Sequence, residues 1–144
     1  MNTYEKTLLF AIKKHGDQKR KFSGLPYVIH PIRVAAEFNS DVLKVVALLH
    51  DVVEDTNTTF DEVQEFLIDT LEFGKERTNI IIGAIESLTR RKGEPYDEFI
   101  KRVSLNETAI GVKIADIMDN LSDLPIGHPL EERYKSAIDF LVSE

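Results

Sequence analysis

Apolar residues recur along the chain at the three- and four-residue spacing of amphipathic helices, and turn-forming residues separate the runs. No run alternates apolar and polar residues as a half-buried strand does, and no hairpin dipeptide joins two runs. The pattern therefore predicts an all-α fold. A chain of 144 residues has the length of one ordinary domain, and we expect a single compact helical bundle spanning 1–144.

Capping residues, prolines and glycines set the predicted helix boundaries. The first helix ends near Gly16, and a turn-rich connection over 16–29 follows it. Pro31 suits the first turn of a short helix, so we expect His30 just outside that helix. Isoleucines 80–82 could form a strand by propensity, but the helical pattern that continues after them favours a helix. Two predicted helices are long and buried, and they span 41–55 and 106–121.

The predicted helix 41–55 combines an apolar body with a polar end. Its middle is too apolar for an exposed helix, so protein must cover almost every face of it. Four ionisable residues nevertheless lie within six positions at its end: His50, Asp51, Glu54 and Asp55. Charged groups on a buried helix are costly unless they are paired or bind a cation. A metal site explains them most simply; the alternative is a solvated acidic helix end with one core histidine.

Two further residues complete a candidate metal-binding set. His30 precedes a proline, and Asp116 lies in the other long buried helix, where it shares a face with Lys113 and Asn120. Alone, His30 could be structural and Asp116 could simply pair with Lys113. Together, two imidazoles and two carboxylates suit a divalent transition ion such as Mn²⁺, Fe²⁺ or Zn²⁺ and suit Ca²⁺ poorly. The candidate ligands are His30, His50, Asp51 and Asp116.

Composition and charge narrow the classes of partner. Lys and Arg number 18 against 25 Asp and Glu, a formal charge of −7 that argues against general nucleic-acid binding. A small anionic substrate stays possible because five basic residues fall between positions 13 and 21, although a solvated basic face is the alternative interpretation. Without cysteine, disulfides and thiolate metal sites are excluded. We find no signal-peptide pattern and no apolar run of about 20 residues, so we expect a cytoplasmic protein with no membrane partner.

Three stretches of the chain carry a resemblance to a known family. They are Arg20-Lys-Phe-Ser-Gly-Leu-Pro-Tyr-Val-Ile-His-Pro31, Ala47-Leu-Leu-His-Asp-Val-Val-Glu-Asp-Thr56 and Lys113-Ile-Ala-Asp-Ile-Met-Asp-Asn120. The order His, His-Asp, Asp resembles the HD-domain metal phosphohydrolases. The three stretches together resemble the hydrolase domain of RelA/SpoT-type alarmone enzymes, in particular the stand-alone small alarmone hydrolases, over roughly residues 5–124.

The resemblance implies an HD-domain helical bundle that removes the 3′-pyrophosphate of (p)ppGpp, usually with Mn²⁺. By matching position it implies His30, His50, Asp51 and Asp116 as metal ligands, and Glu54 and Asp55 as the acids that handle the attacking water. Arg20, Lys21, Lys113 and Asn120 match positions near the nucleotide, and Tyr134 matches a substrate-contacting tyrosine through a looser alignment. Because Arg20 falls in a polar connection, we expect its loss to cost little packing.

Two other functions compete with this interpretation. Other HD hydrolases act on nucleoside monophosphates or cyclic nucleotides, and related small alarmone hydrolases are candidates for NADPH hydrolysis. A protein of a different class, an antitoxin-like or regulatory binding partner, would keep its function without Glu54 and Asp55. A small alarmone hydrolase can also act as an antitoxin enzymatically, with a toxic alarmone synthetase as its functional counterpart.

Overall fold

Residues 1–143, the range that the computed structural model describes, contain nine α-helices and one π-helical segment. This range contains no strand, only an isolated antiparallel bridge between Lys19 and Pro26, so the all-α prediction is confirmed. None of its helices is long and apolar enough to cross a membrane. The helices are α1 (Thr3–His15), α2 (Ile29–Ala35), α3 (Asp41–Leu49), α4 (Val52–Asp55), α5 (Phe60–Glu65), α6 (Lys75–Leu88), α7 (Tyr96–Ser104), α8 (Glu107–Asp123) and α9 (Leu130–Ser143), and the π-helical segment spans Phe66–Thr70.

Helix α3 lies at the centre of the bundle. Its residues Val45–Leu49 have no exposed surface, and α1, α2, α6 and α8 all pack against it. An α-helix that is apolar around its whole circumference needs this kind of enclosure. The polar residues that follow α3 are therefore held in place by four neighbouring helices.

The predicted continuous helix 41–55 is wrong, because α3 stops at Leu49 and the short α4 begins at Val52. His50 and Asp51 lie at the interruption, and Asp51 adopts φ −104° and ψ −2°. Nδ1 of His50 lies 2.6 Å from the carbonyl oxygen of Ala47, the acceptor that the Asp51 N–H would use in a continuous helix. This side chain thus competes with the backbone where the helix breaks.

His30 lies inside α2 rather than just before it, which corrects a second boundary. The helix begins at Ile29, so Pro31 is its third residue. The first N–H groups of a helix have no partner within the helix, so a proline without an N–H is tolerated at this position. Isoleucines 80–82 are helical as predicted, within α6.

Arg102 of α7 connects the end of α6 to the segment that follows it. Its guanidinium donates to the carbonyl oxygens of Glu86 at 3.0 Å and Thr89 at 2.8 Å. It also forms a bidentate pair with the carboxylate of Glu94, at 3.0 and 2.9 Å. Five donors in a planar fork make this geometry possible for arginine only. The connection that carries Arg90 is held in place by these bonds.

We expect Arg102→Met to lower the free energy of unfolding by about 1–3 kcal/mol, because it leaves backbone acceptors and a carboxylate without their charged donor. Urea denaturation measures the change. The matched control is Lys101→Met, since Lys101 is 60% exposed and pairs only loosely with Glu98 at 3.8 Å. Equal stability of the two variants would show that the Arg102 contacts contribute nothing.

Candidate active site

The structure brings the four predicted metal ligands together from three parts of the chain. His30 comes from α2, His50 and Asp51 from the break after α3, and Asp116 from α8. Each offers a ligand atom within 4.8 Å of the others. Oδ1 of Asp116 lies 2.7 Å from Nε2 of His30 and 3.1 Å from Nε2 of His50. Oδ2 of Asp51 lies 3.0 Å from the same His50 nitrogen.

Both imidazoles are anchored so that Nε2 faces this cluster. Nδ1 of His50 lies 2.6 Å from the Ala47 carbonyl oxygen, which can only accept, so Nδ1 carries the proton. Nδ1 of His30 lies 2.7 Å from a carboxylate oxygen of Asp119. A histidine that binds a metal typically donates its other ring N–H to such an acceptor. Two oriented nitrogens and two carboxylates therefore fit one divalent cation of borderline character.

The charges around the cluster keep its carboxylates ionised. Burial raises the pKa of Asp116, but Lys113 and the imidazole of His50 outweigh burial and hold that pKa well below its usual range. Burial also raises the pKa of Asp51, and His50 brings it down to about 2. Nζ of Lys113 donates to Oδ2 of Asp116 at 2.8 Å and leaves Oδ1 facing the imidazoles. Both carboxylates of the cluster are therefore ionised at neutral pH and available as ligands.

Glu54 and Asp55 lie beside the cluster in different surroundings. Asp51, Glu54 and Asp55 each place a carboxylate oxygen within 4.8 Å of the others. The hydroxyl of Tyr27 contacts Asp51 and lies 3.1 Å from Oδ2 of Asp55. Oε1 of Glu54 instead accepts from the backbone N–H of Arg90 at 2.6 Å. Asp55 lies at the surface, yet partial desolvation and the charges of Asp51 and Glu54 raise its pKa to about 7.

The cluster opens into two adjoining clefts. The first, about 280 Å³, exposes Asp51 and Asp116 and has Arg90, Lys113 and Arg133 in its wall. The second, about 470 Å³, contains Arg20 and Lys21. Both clefts are bordered by Tyr27, Asp55, Asn120, Leu130 and Tyr134. All five substrate residues expected from the resemblance therefore border this continuous space.

Several residues of the site were not found from the sequence. Arg133 places its guanidinium carbon 4.1 Å from the centre of the Tyr96 ring, and that of Arg90 lies 5.6 Å from the same centre. The sequence shows two consecutive arginines at 90 and 91, but no motif around them indicates that Arg90 would line the cleft. Asp119 follows Asp116 by three residues and so shares its helix face, which the spacing could have revealed.

Arg20 is placed differently from the expectation. It is 5% exposed, and it donates to Oδ2 of Asp119 at 2.7 Å and to Oδ1 of Asn120 at 3.3 Å. Its Nε lies 3.6 Å from Asp123. Removing one partner of a buried ion pair leaves an uncompensated charge. The expectation that Arg20 can be lost at little structural cost is therefore wrong.

Comparison with protein families and with known proteins gives consistent matches. The family model described as HD domain matches residues 13–124. A guanosine-3′,5′-bis(diphosphate) 3′-pyrophosphohydrolase of Aquifex aeolicus is 36% identical over 123 residues, which are 80% of this chain and 17% of that protein. The human guanosine-3′,5′-bis(diphosphate) 3′-pyrophosphohydrolase MESH1 is 39% identical over 128 residues, covering 80% of this chain and 65% of that protein.

A solved structure shares the fold along nearly the whole chain. It is described as a metazoan ortholog of SpoT that hydrolyzes ppGpp and plays a role in starvation responses. The TM-score is 0.75 at 28% sequence identity, and the match covers 99% of this chain and 85% of that one. The chain thus spans most of this structure, but only 17% and 65% of the two relatives above.

We expect the protein to bind one Mn²⁺ ion per chain, with an affinity that rises with pH. The ion and a proton compete for each Nε2, and burial lowers the pKa of both histidines less than the neighbouring carboxylates raise it. Titration calorimetry in buffers of different ionisation enthalpy measures affinity and proton release. His50→Ala should lose the ion, whereas His128→Ala, outside the cluster, should retain it; equal binding by both variants would refute the site.

Proposed function

The chain belongs to the HD-domain family, and from this we propose that it is a metal-dependent hydrolase of guanosine tetra- and pentaphosphate. Water attacks the phosphorus attached to the 3′-oxygen, the bond between them breaks, and the products are pyrophosphate and GDP or GTP. The observation that carries the proposal is the buried two-histidine, two-carboxylate cluster at the base of a cleft with cationic walls. The names of the relatives from Aquifex aeolicus and Homo sapiens support this substrate.

The residues that would hold the ion are His30, His50, Asp51 and Asp116. Their two nitrogens and two oxygens suit Mn²⁺, which the resemblance also implies. A divalent ion at this position supplies Lewis-acid activation of water and of the phosphoryl group. Lys113 serves this centre without binding the ion, because its ammonium keeps one oxygen of Asp116 occupied and directs the other inward.

Asp55 is the residue that we assign to proton transfer. Its carboxylate lies next to Asp51 at the mouth of the cleft, and its pKa of about 7 is close to the operating pH, where a general base is most effective. Tyr27 orients this carboxylate through its hydroxyl. The proton that Asp55 takes from water can return to the 3′-oxygen as it leaves.

Glu54 has a second task besides any contact with water. Its bond to the Arg90 N–H holds the start of the connection after α6 against α4. Arg90 lines the same cleft, so this bond helps to set the position of a cationic wall. We therefore assign Glu54 to positioning the attacking water and the Arg90 wall of the cleft, and Asp55 to accepting the proton from that water.

The charge distribution of the clefts supports a nucleotide with two phosphorylated positions. Arg90, Lys113 and Arg133 surround the cleft at the cluster, and Lys19 and Lys21 border the adjoining one. Cations on both sides offset the repulsion that a chain of formal charge −7 would otherwise exert on a polyphosphate. A nucleoside monophosphate has only one such group.

Three parts of the sequence-based interpretation remain predictions. They are one HD-type domain over 1–144, a cytoplasmic location, and a toxic alarmone synthetase as functional counterpart. NADPH, other nucleotides and a protein-binding antitoxin are the alternatives that the experiments below separate.

We expect the Mn²⁺-loaded protein to convert ppGpp to GDP and pyrophosphate at a kcat/KM at least about tenfold above that for NADPH, nucleoside monophosphates or cyclic nucleotides. The pair of cationic clefts favours two phosphorylated positions over the single one of nucleoside monophosphates and cyclic nucleotides. NADPH also carries two such positions, and the names of the relatives favour ppGpp over it. Anion-exchange chromatography of the products measures each rate. A higher kcat/KM for NADPH would make NADPH the assigned substrate. If the metal-loaded protein hydrolyses none of these nucleotides, a protein-binding function is favoured.

We expect Asp55→Asn to lower kcat by about 10²–10⁴-fold while Mn²⁺ stoichiometry and thermal stability stay unchanged, because the amide cannot take the proton. Glu54→Gln should lower kcat by a smaller factor, because its amide oxygen can still accept the hydrogen bond from the Arg90 backbone N–H. Asp69→Asn, an exposed carboxylate outside the cleft, is the control. Loss of metal together with kcat would make Asp55 a ligand, and normal rates in both acid variants would make the acids a solvated helix end.

A further inference from the structure

Asp119 lies behind His30, on the side away from the metal cluster. Its Oδ2 is 2.7 Å from Nδ1 of His30 and 2.7 Å from Nη1 of Arg20. The Asp119 side chain is 12% exposed, and the reaction proposed above gives it no part. One carboxylate oxygen thus joins a candidate metal ligand to a buried guanidinium.

We propose that Asp119 is a positioning residue for His30 and that Arg20 acts on His30 through Asp119. The proposal rests on the metal site of the proposed function and is independent of the substrate. It extends the role of Arg20, which the resemblance placed only near the nucleotide.

The first step of the argument concerns the proton on His30. A neutral imidazole carries one proton on either ring nitrogen, and only the nitrogen without it can bind an ion. The carboxylate of Asp119 accepts from Nδ1 and so favours the tautomer with a free Nε2. That nitrogen lies 2.7 Å from Oδ1 of Asp116 and 3.6 Å from Oδ2 of Asp51. Asp119 therefore selects both the tautomer and the ring orientation that the metal site needs.

The second step concerns the charge on Asp119. A carboxylate this far from solvent needs a partner, and Arg20 provides one at 2.7 Å. Arg33 is a weaker alternative, because its Nη1 is 3.9 Å from Asp119 and its side chain is half exposed. Asn120 also accepts from the guanidinium of Arg20 at 3.3 Å, whereas Asp123 lies 3.6 Å from it, beyond hydrogen-bond distance. Loss of Arg20 would free Asp119 to move away from His30.

The third step joins this network to the nucleotide cleft. Arg20 borders the larger cleft, next to Lys21 and Tyr27. The same guanidinium therefore lies between the space proposed for the nucleotide and the partner of a metal ligand. A variant of Arg20 should change the affinity for Mn²⁺ even with no nucleotide present, which a residue that only contacts substrate would not do.

The test compares Mn²⁺ affinity in the full chain, by titration calorimetry, for Asp119→Ala, Asp119→Asn, Arg20→Lys and Asp123→Asn. Outer partners of metal-bound histidines typically contribute about 10–100-fold in metal affinity. We expect a loss in this range for Asp119→Ala and smaller losses for Asp119→Asn and Arg20→Lys. Asp123→Asn is the matched control, because Asp123 contacts Arg20 but not His30, and it should change affinity less than about threefold.

A spectroscopic measurement separates positioning from general stability. Nitrogen-15 NMR of the metal-free protein, recorded at a pH high enough to make His30 neutral, should show the remaining proton on Nδ1 in the wild type and a mixture of tautomers in Asp119→Ala. If Asp119→Ala does not fold, the Mn²⁺ affinities of Asp119→Asn and Arg20→Lys, compared with that of Asp123→Asn, test the proposal instead. Equal affinities in the Asp119 and Asp123 variants with an unchanged His30 tautomer would overturn the proposal. Wild-type Mn²⁺ binding without ppGpp hydrolysis would overturn the substrate assignment and leave this proposal intact.

Discussion

The buried carboxylate of Asp116 is the group on which the rest of the site depends. It is 3% exposed, and an isolated charge at such a position would cost several kcal/mol. Three helical segments meet this cost together: α2 supplies His30, the end of α3 supplies His50, and α8 itself supplies Lys113. The apolar enclosure of α3 therefore serves chemistry as well as stability, because it fixes His50 opposite Asp116.

The groups in and beside the candidate metal cluster are held by residues that come from distant parts of the chain. His30 is backed by Asp119, whose charge is balanced by Arg20 from the first connection. Glu54 is tied to the backbone of Arg90, and the segment that carries Arg90 is tied to α7 through Arg102. Preorganised geometry of this kind lets a site stabilise charge without rearranging during the reaction. The same connections make the site sensitive to substitutions that touch no ligand.

Helical periodicity and residue chemistry were sufficient to predict the all-α fold and the grouping of His30, His50, Asp51 and Asp116. Periodicity specifies which face of a helix a residue occupies, but it does not specify which distant segment covers that face. Arg20 shows the limit, since its neighbours in the sequence are polar and exposed while its partners lie on α8. The helix break at His50 was missed for another reason. The His50 side chain competes with the backbone for the Ala47 carbonyl oxygen, and the spacing of apolar residues does not indicate such a contact.

Glu54 and Asp55 show how surroundings separate two acids that look equivalent in the sequence. Both follow the candidate metal ligand Asp51 on the short α4, and burial raises the pKa of Glu54 as it does that of Asp55. The hydrogen bonds differ: the Arg90 N–H lowers the pKa of Glu54 and holds it to the wall, while Asp55 meets a tyrosine hydroxyl and the charges of two other acids. Neighbouring groups whose environments differ in this way can divide acid, base and structural tasks between them.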